Sequence, residues 1–214
     1  MDDTTNKSRG NQRHRTRKDI LAAAARLLQA GQVPTMEDVA AEALVSRATV
    51  YRYFPDIKAL LLEAPLDTAV PTADSLFAGD PSADPEERLD RAEAALHDMV
   101  YRNEAQLRLM LANSLAAKRD GKAQDAMPVR QNRRMPLIEE ALKPVRQRLD
   151  EATYEKLCAA LALIFGTESM IVFQDVLCLD PDTARGIKSW TMRALVRHAL
   201  EDSGMEKIRN TANS

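Results

Sequence analysis

Residues 35–58 read TMEDVAAEALVSRATVYRYFPDIK, and the fold class turns on this stretch. Thr35 is an N-cap residue, and Asp38, three places on, can answer its backbone N–H in a weaker relative of the capping box. Val39, Ala40 and Ala43 supply one apolar face of a first short helix. Ser46 caps a second helix, in which Val50 and Phe54, four residues apart, point inward. Arg47, Thr49, Tyr51, Arg52 and Tyr53 are left to meet something else. Two capped helices three or four residues apart make a helix-turn-helix over residues 35–54, whose second helix fits a DNA major groove. A surface helical hairpin with solvated polar residues has the same spacing, so the pattern alone leaves both readings open.

The wording of the stretch is more specific. It resembles the tetracycline-repressor (TetR) family of transcriptional regulators. That family's DNA-binding domain runs as a basic helix, a Thr-capped helix, a turn ending in Val-Ser, a recognition helix of the form TxYxxF and a following helix. Here the elements are IxxAAxxL from Ile20 to Leu27, Thr35 to Ala43, Val45-Ser46, Thr49 to Phe54, and Lys58 onward. There are two departures. Leu44 stands where the family usually has Gly in the turn; in a left-handed conformation Leu costs on the order of 1 kcal/mol more than Gly. Ile57 stands where the family often has Lys, and Lys58 follows one residue, or about 100° of helix rotation, later.

The resemblance implies that Ser46 to Tyr53 enter the major groove. Arg47 is the candidate for a base edge, because a guanidinium pairs bidentately with guanine. Thr49 is a candidate for a base or a thymine methyl. Tyr51 and Tyr53 are implied phosphate contacts, with Arg52 and Lys58 beside them and Thr35 adding one at a helix N-terminus. It also implies a homodimer paired through the last two long helices, and a small effector held among helices between Glu86 and Asp180.

Composition agrees with an all-α regulator. At 214 residues, 45% apolar and 29% charged, the chain is globular rather than disordered. Seven Gly, few aromatics and abundant Ala, Leu, Arg and Glu favour helix. The net charge of −2 hides an asymmetry: residues 1–60 carry ten Lys/Arg against seven Asp/Glu, leaving −5 for the remainder. Lys7, Arg9, Arg13, Arg15, Arg17 and Lys18 make the first eighteen residues more basic still. A basic head on an acidic body suits a DNA-facing domain joined to one that avoids DNA.

Along the chain the pattern predicts a flexible basic arm (1–15), a helix-turn-helix domain (16–60), a helical regulatory and dimerisation domain (61–204) and a frayed tail (205–214), with about nine helices. The first helix runs to Ala30 and stops at Gly31. The fourth starts near Asp56 and breaks at Pro65; Pro65 to Pro85 reads as a loop with one turn of helix. Helical patterns follow over roughly 85–102, 103–118, 136–149, 153–179 and 181–202, with a polar loop from Asp120 to Arg134. Asp180 and Pro181 form a cap and first-turn pair. Ser203-Gly204 closes the last helix.

Phe165, Ile171 and Val172 on one predicted helix, and Trp190 and Ala194 on the next, are the candidate dimer seam, with Gly166 allowing close approach. Ordinary packing within one core explains the same residues. Cys158 and Cys178 read as two buried thiols on one long helix, the minority reading being a redox pair across a dimer. His14, His97 and His198 fall in separate segments, and none pairs with Cys at metal spacing. No phosphate loop or nucleophile elbow appears, which argues against an enzyme, a metal site or a cofactor. Glu168 and Asp175 share a face and read as solvated groups or a dimer salt bridge, the less favoured reading being polar groups that reach into a ligand cavity. The N-terminus has no signal peptide, and the run from Leu157 to Gly166 is too short to span a bilayer, so a cytoplasmic protein without a membrane partner is expected. The whole describes a repressor of a near-palindromic duplex operator, released by an effector. An effector-independent DNA-binding protein and an all-α interaction module are the alternatives.

Overall fold

The computed structural model describes residues 3–119 and 132–212, and every regular element among them is helical. They form two compact units, one taking the chain up to Ala69 with the part of α7 from Arg108, the other the remainder. The first contains α1 (Asp3–Gln29), α2 (Met36–Glu42), α3 (Arg47–Tyr53) and α4 (Ile57–Ala69). Then follow α5 (Ala73–Phe77), α6 (Pro85–Arg102), α7 (Glu104–Arg119), α8 (Met135–Leu142) with a 3-10 extension over Lys143–Arg148, and α9 (Glu151–Ile164). α10 (Thr167–Ile171) runs into a π-helical stretch, Val172–Val176, and α11 (Pro181–Ala212) closes the chain.

The core of the first unit joins all four helices. Ile20, Leu21 and Ala24 of α1 meet Met36, Val39 and Ala40 of α2, Val50 of α3, Phe54, and Leu60 and Ala64 of α4. Gly31, at φ 75°, lets Gly31 N–H reach the Leu28 carbonyl and Gln32 N–H reach that of Leu27, closing α1 with a paired C-terminal motif.

Two expectations change here. The stretch expected as a basic arm is helical from Asp3, so one continuous α1 replaces arm and helix. Arg17, counted with the basic head, is buried, its guanidinium 4.3 Å from the Phe54 ring. Nor does Pro65 break α4, which continues to Ala69. The ring is exposed, and burial of Ala64 and Leu66 on either side anchors the helix across the missing N–H.

In the second unit, α6 packs on α8 and α11, and α9 on α8 and α11. Leu89, Ala92, Leu96 and Val100 of α6, Leu137, Ile138 and Leu142 of α8, Leu157 and Leu161 of α9, and Met192 and Val196 of α11 are buried and supply the apolar interior of this unit. Within it lies a charged cluster. Lys188 Nζ donates to Glu93 Oε1 at 2.9 Å and lies 3.2 Å from His97 Nδ1, all three residues being buried.

The long helix expected over 153–179 is interrupted. Phe165 is extended and Gly166 has φ 98° and ψ −160°, a conformation essentially restricted to glycine. A β-carbon at Gly166 would come within 3.0 Å of the Arg134 guanidinium. That guanidinium donates to the Ala162 carbonyl at 2.7 Å and to Glu168 Oε2 at 2.7 Å, stitching the end of α9 to the start of α10. Gly166 therefore serves a chain break and an arginine. Glu168 belongs to this stitch. The break also removes the single helix expected to hold both cysteines: Cys158 is buried and Cys178 is exposed.

Phe165 is wholly buried in its own unit, which removes it from any candidate interface. The other proposed seam residues differ. Ile171 is half-buried, Val172 and Ala194 are exposed, and Trp190 is 72% exposed. Trp190 lies opposite the buried face of α11, made by Ala184, Lys188, Met192 and Val196. Asp180 Oδ1 accepts from the backbone N–H groups of Asp182 (3.0 Å) and Thr183 (2.9 Å), so the cap before Pro181 is present. The helix then passes Ser203-Gly204, the stop suggested by the sequence, and reaches Ala212. Most of the expected 120–134 loop lies outside the described residues. Among the described residues no single helix is long and apolar enough to cross a membrane; α9 and the Thr167–Val176 segment would suffice only together, and are bent by 47°.

Candidate nucleic-acid interface

α2 begins where Thr35 and Asp38 exchange bonds. Asp38 N–H donates to Thr35 Oγ1 at 3.3 Å, and Thr35 N–H to Asp38 Oδ2 at 2.8 Å, a complete capping box. The Thr35 backbone N–H, followed by its hydroxyl, holds the Asp38 carboxyl below its ordinary pKa. The charge strengthens the cap and opposes the positive end of the helix.

The turn is built on one left-handed residue. Leu44 has φ 55°. Its N–H reaches the Ala41 carbonyl at 3.2 Å, and Val45 N–H reaches that of Ala40 at 3.0 Å. These are the two bonds of a Schellman motif, which glycine usually closes. The Leu44 side chain is almost wholly in solvent, so the substitution recovers little by packing.

α3 starts on Ser46, whose Oγ accepts from Thr49 N–H at 3.1 Å and lies 2.8 Å from Thr49 Oγ1. Val50 and Phe54 are buried, as their spacing requires. The rest of its surface carries Arg47, Tyr51 and Arg52, all exposed, with Thr49 and Tyr53 half-buried. Tyr53 packs on the domain core while the Arg52 guanidinium lies 5.4 Å from its ring. Arg47 Nη2 donates to the Tyr51 hydroxyl at 3.4 Å, and the guanidinium lies 5.4 Å from the Tyr51 ring. Arg47 Nη1 also pairs with the Glu37 carboxylate. Its hydrogen bond to Tyr51 and the charge of Glu37 raise its pKa, keeping the group cationic.

Beyond α3, Asp56 Oδ1 accepts from Ala59 N–H at 2.8 Å and caps α4. Ile57, at the first position, packs on the core, while Lys58 is exposed. The departure from the family pattern thus has a local reason: position 57 is turned inward and position 58 outward. Sequence reasoning missed two participants. Glu37 gave no signal, being one acidic residue in a first turn that favours them. Arg17 did give one, since residues 17, 20, 21 and 24 share a helical stripe.

A short capped recognition helix, braced by a second helix across a four-residue turn and presenting Arg and Tyr outward, defines a helix-turn-helix DNA-binding module. Residues 20–64 match the family model described as bacterial regulatory proteins, tetR family. The N-terminal unit thus carries a DNA-binding domain similar to that of the tetR family of transcription regulators. No curated protein and no solved structure matches the chain.

Proposed function

We propose that this regulator is a cytoplasmic repressor that binds a near-palindromic duplex operator as a homodimer and leaves it when a small effector binds. The observation that carries the DNA-facing part is the division of α3, with Val50 and Phe54 sealed in the core and Arg47, Tyr51 and Arg52 outside. Arg47 reads a base edge and Thr49 a base or thymine methyl. Tyr51, Tyr53, Arg52, Lys58 and Thr35 position the domain on phosphates, with Ser46 holding the helix start. Exposed Val172 and Trp190, with Ala194 one helical turn from Trp190, support pairing of two copies, since large apolar groups left in solvent favour burial.

The effector reading is supported by an open cleft of about 530 Å³ in the second unit, lined by His97, Asp98, Tyr101, Arg102, Pro181, Asp182 and Arg185. Two fully buried polar atoms of its lining residues, the Tyr101 hydroxyl and Arg185 Nε, have no hydrogen-bond partner among the described residues. The DNA-facing reading is tested by binding to operator and unrelated duplexes over a salt series. Contact with several phosphates releases counterions, so affinity falls by orders of magnitude between about 50 and 200 mM salt. Affinity indifferent to salt overturns it.

A further inference from the structure

Arg47 is held from two sides, and one of them is acidic. Its Nη1 meets the Glu37 carboxylate and its Nη2 the Tyr51 hydroxyl. Glu37 is the second residue of α2 and Arg47 the first of α3, so the pair bridges the helices across the turn. The side chains are 55% and 59% exposed. An ion pair that exposed contributes little to folding. A carboxylate beside the DNA-facing arginine also repels phosphate and weakens binding to every sequence. Its presence there is useful if it weakens binding to wrong sequences more.

We propose that Glu37 is a specificity-determining residue that acts by positioning Arg47, an inference that rests on the reading of Arg47 as a base contact. An unrestrained arginine can swing to the nearest phosphate, which adds affinity without sequence information. Glu37 supplies a competing anion on the protein side. With Nη1 engaged there and the guanidinium held over Tyr51, the remaining N–H donors project from a fixed plane. That plane is what bidentate recognition of guanine O6 and N7 requires. As docking expels water, the attraction between Glu37 and Arg47 strengthens in the lower dielectric. Presented with any base but guanine, Arg47 is held on Glu37 away from the phosphates while its remaining donors find no matching acceptors, so the wrong sequence gains neither a base contact nor a backbone one.

The test uses the full chain and an operator selected from random duplexes, then altered one base pair at a time. Wild type, Glu37→Gln, Glu37→Ala, Arg47→Ala and the Glu37→Ala/Arg47→Ala double variant are compared, with thermal unfolding as the fold control. Both Glu37 variants are expected to bind unrelated duplex severalfold tighter than wild type. They lose roughly tenfold of the preference at the base pair where Arg47→Ala loses its own, and keep it elsewhere. The double variant is no less selective there than Arg47→Ala alone, because one interaction has been removed twice. If Arg47→Ala relaxes one position and the Glu37 variants remain as selective as wild type, Glu37 has no such role, while the groove reading stands. Relaxation spread evenly over all positions overturns it equally. A wild-type protein that selects no sequence removes the groove reading itself.

Discussion

The Arg17 guanidinium and the Glu63 carboxylate meet at 2.7 Å inside the DNA-binding domain, with side chains only 5% and 6% exposed. The pair fastens α1 to α4 across a core that also holds Phe54, the last apolar anchor of the recognition helix. The orientation of α3 thus depends on a buried charge pair as well as on apolar packing.

Removing one member leaves the other charged and buried. Glu63→Ala is expected to destabilise the domain by about 3–5 kcal/mol, whereas replacing both, as in Arg17→Met/Glu63→Leu, brings stability back to within about 1–2 kcal/mol of wild type or above it. Chemical denaturation of the three proteins checks this. A single variant as stable as wild type would show that the pair bears no load.

Arg47 and Tyr51 should fail differently. Arg47→Ala is expected to cost roughly ten- to a hundredfold in operator affinity and to relax preference at one position. Tyr51→Phe keeps the ring against the Arg47 guanidinium and the Glu37 pair in place but removes a hydroxyl that can donate to a phosphate, so its main effect is expected to be weaker binding to all duplexes. Titration against the operator and an unrelated duplex separates the phenotypes, and their exchange would reverse the two assignments.

The buried Glu93 cluster makes an acid-sensitive contribution. Burial pushes the Glu93 carboxyl up, but His97 and Lys188 outweigh it and hold it below its ordinary value of 4.5. A carboxyl depressed in the folded state stabilises fully above the unfolded value and loses that contribution as pH falls through the folded one. Wild type should therefore exceed Glu93→Gln in stability above about pH 4.5, with the gap closing on further acidification. Denaturation curves of both proteins between neutral pH and acid measure it; a gap that widens in acid would contradict the pairing.

Charge at the exposed apolar residues of the second unit should disrupt pairing. Val172→Asp and Trp190→Glu alter side chains that are 48% and 72% exposed, so each subunit is expected to stay folded. Sedimentation at micromolar concentration should give a dimer for wild type and a monomer for the variants, with tight operator binding lost. A wild-type monomer that still binds a palindrome tightly would eliminate the dimer.

Local features were legible in the sequence because their causes are local. The Thr35 and Ser46 caps, the inward Val50 and Phe54 and the Asp180 cap all follow from capping hydrogen bonds or residue spacing within about one turn of chain. The helix-turn-helix that carries Arg47, Thr49 and Tyr51 was legible through its resemblance to a known family, since the local pattern alone also fits a surface helical hairpin. What depended on tertiary contacts was not legible. Pro65 lies within a helix because Ala64 and Leu66 are buried against other elements. Gly166 breaks a helix to admit Arg134, thirty-two residues earlier in the chain. Arg17 is withdrawn from the basic surface by Glu63, and Phe165 from the candidate seam by its own core. Glu37 reaches Arg47 only because the turn folds α2 against α3. A side chain's periodicity specifies the face it occupies, whereas its partner on that face is set by segments distant in sequence, whose approach only the packed chain decides.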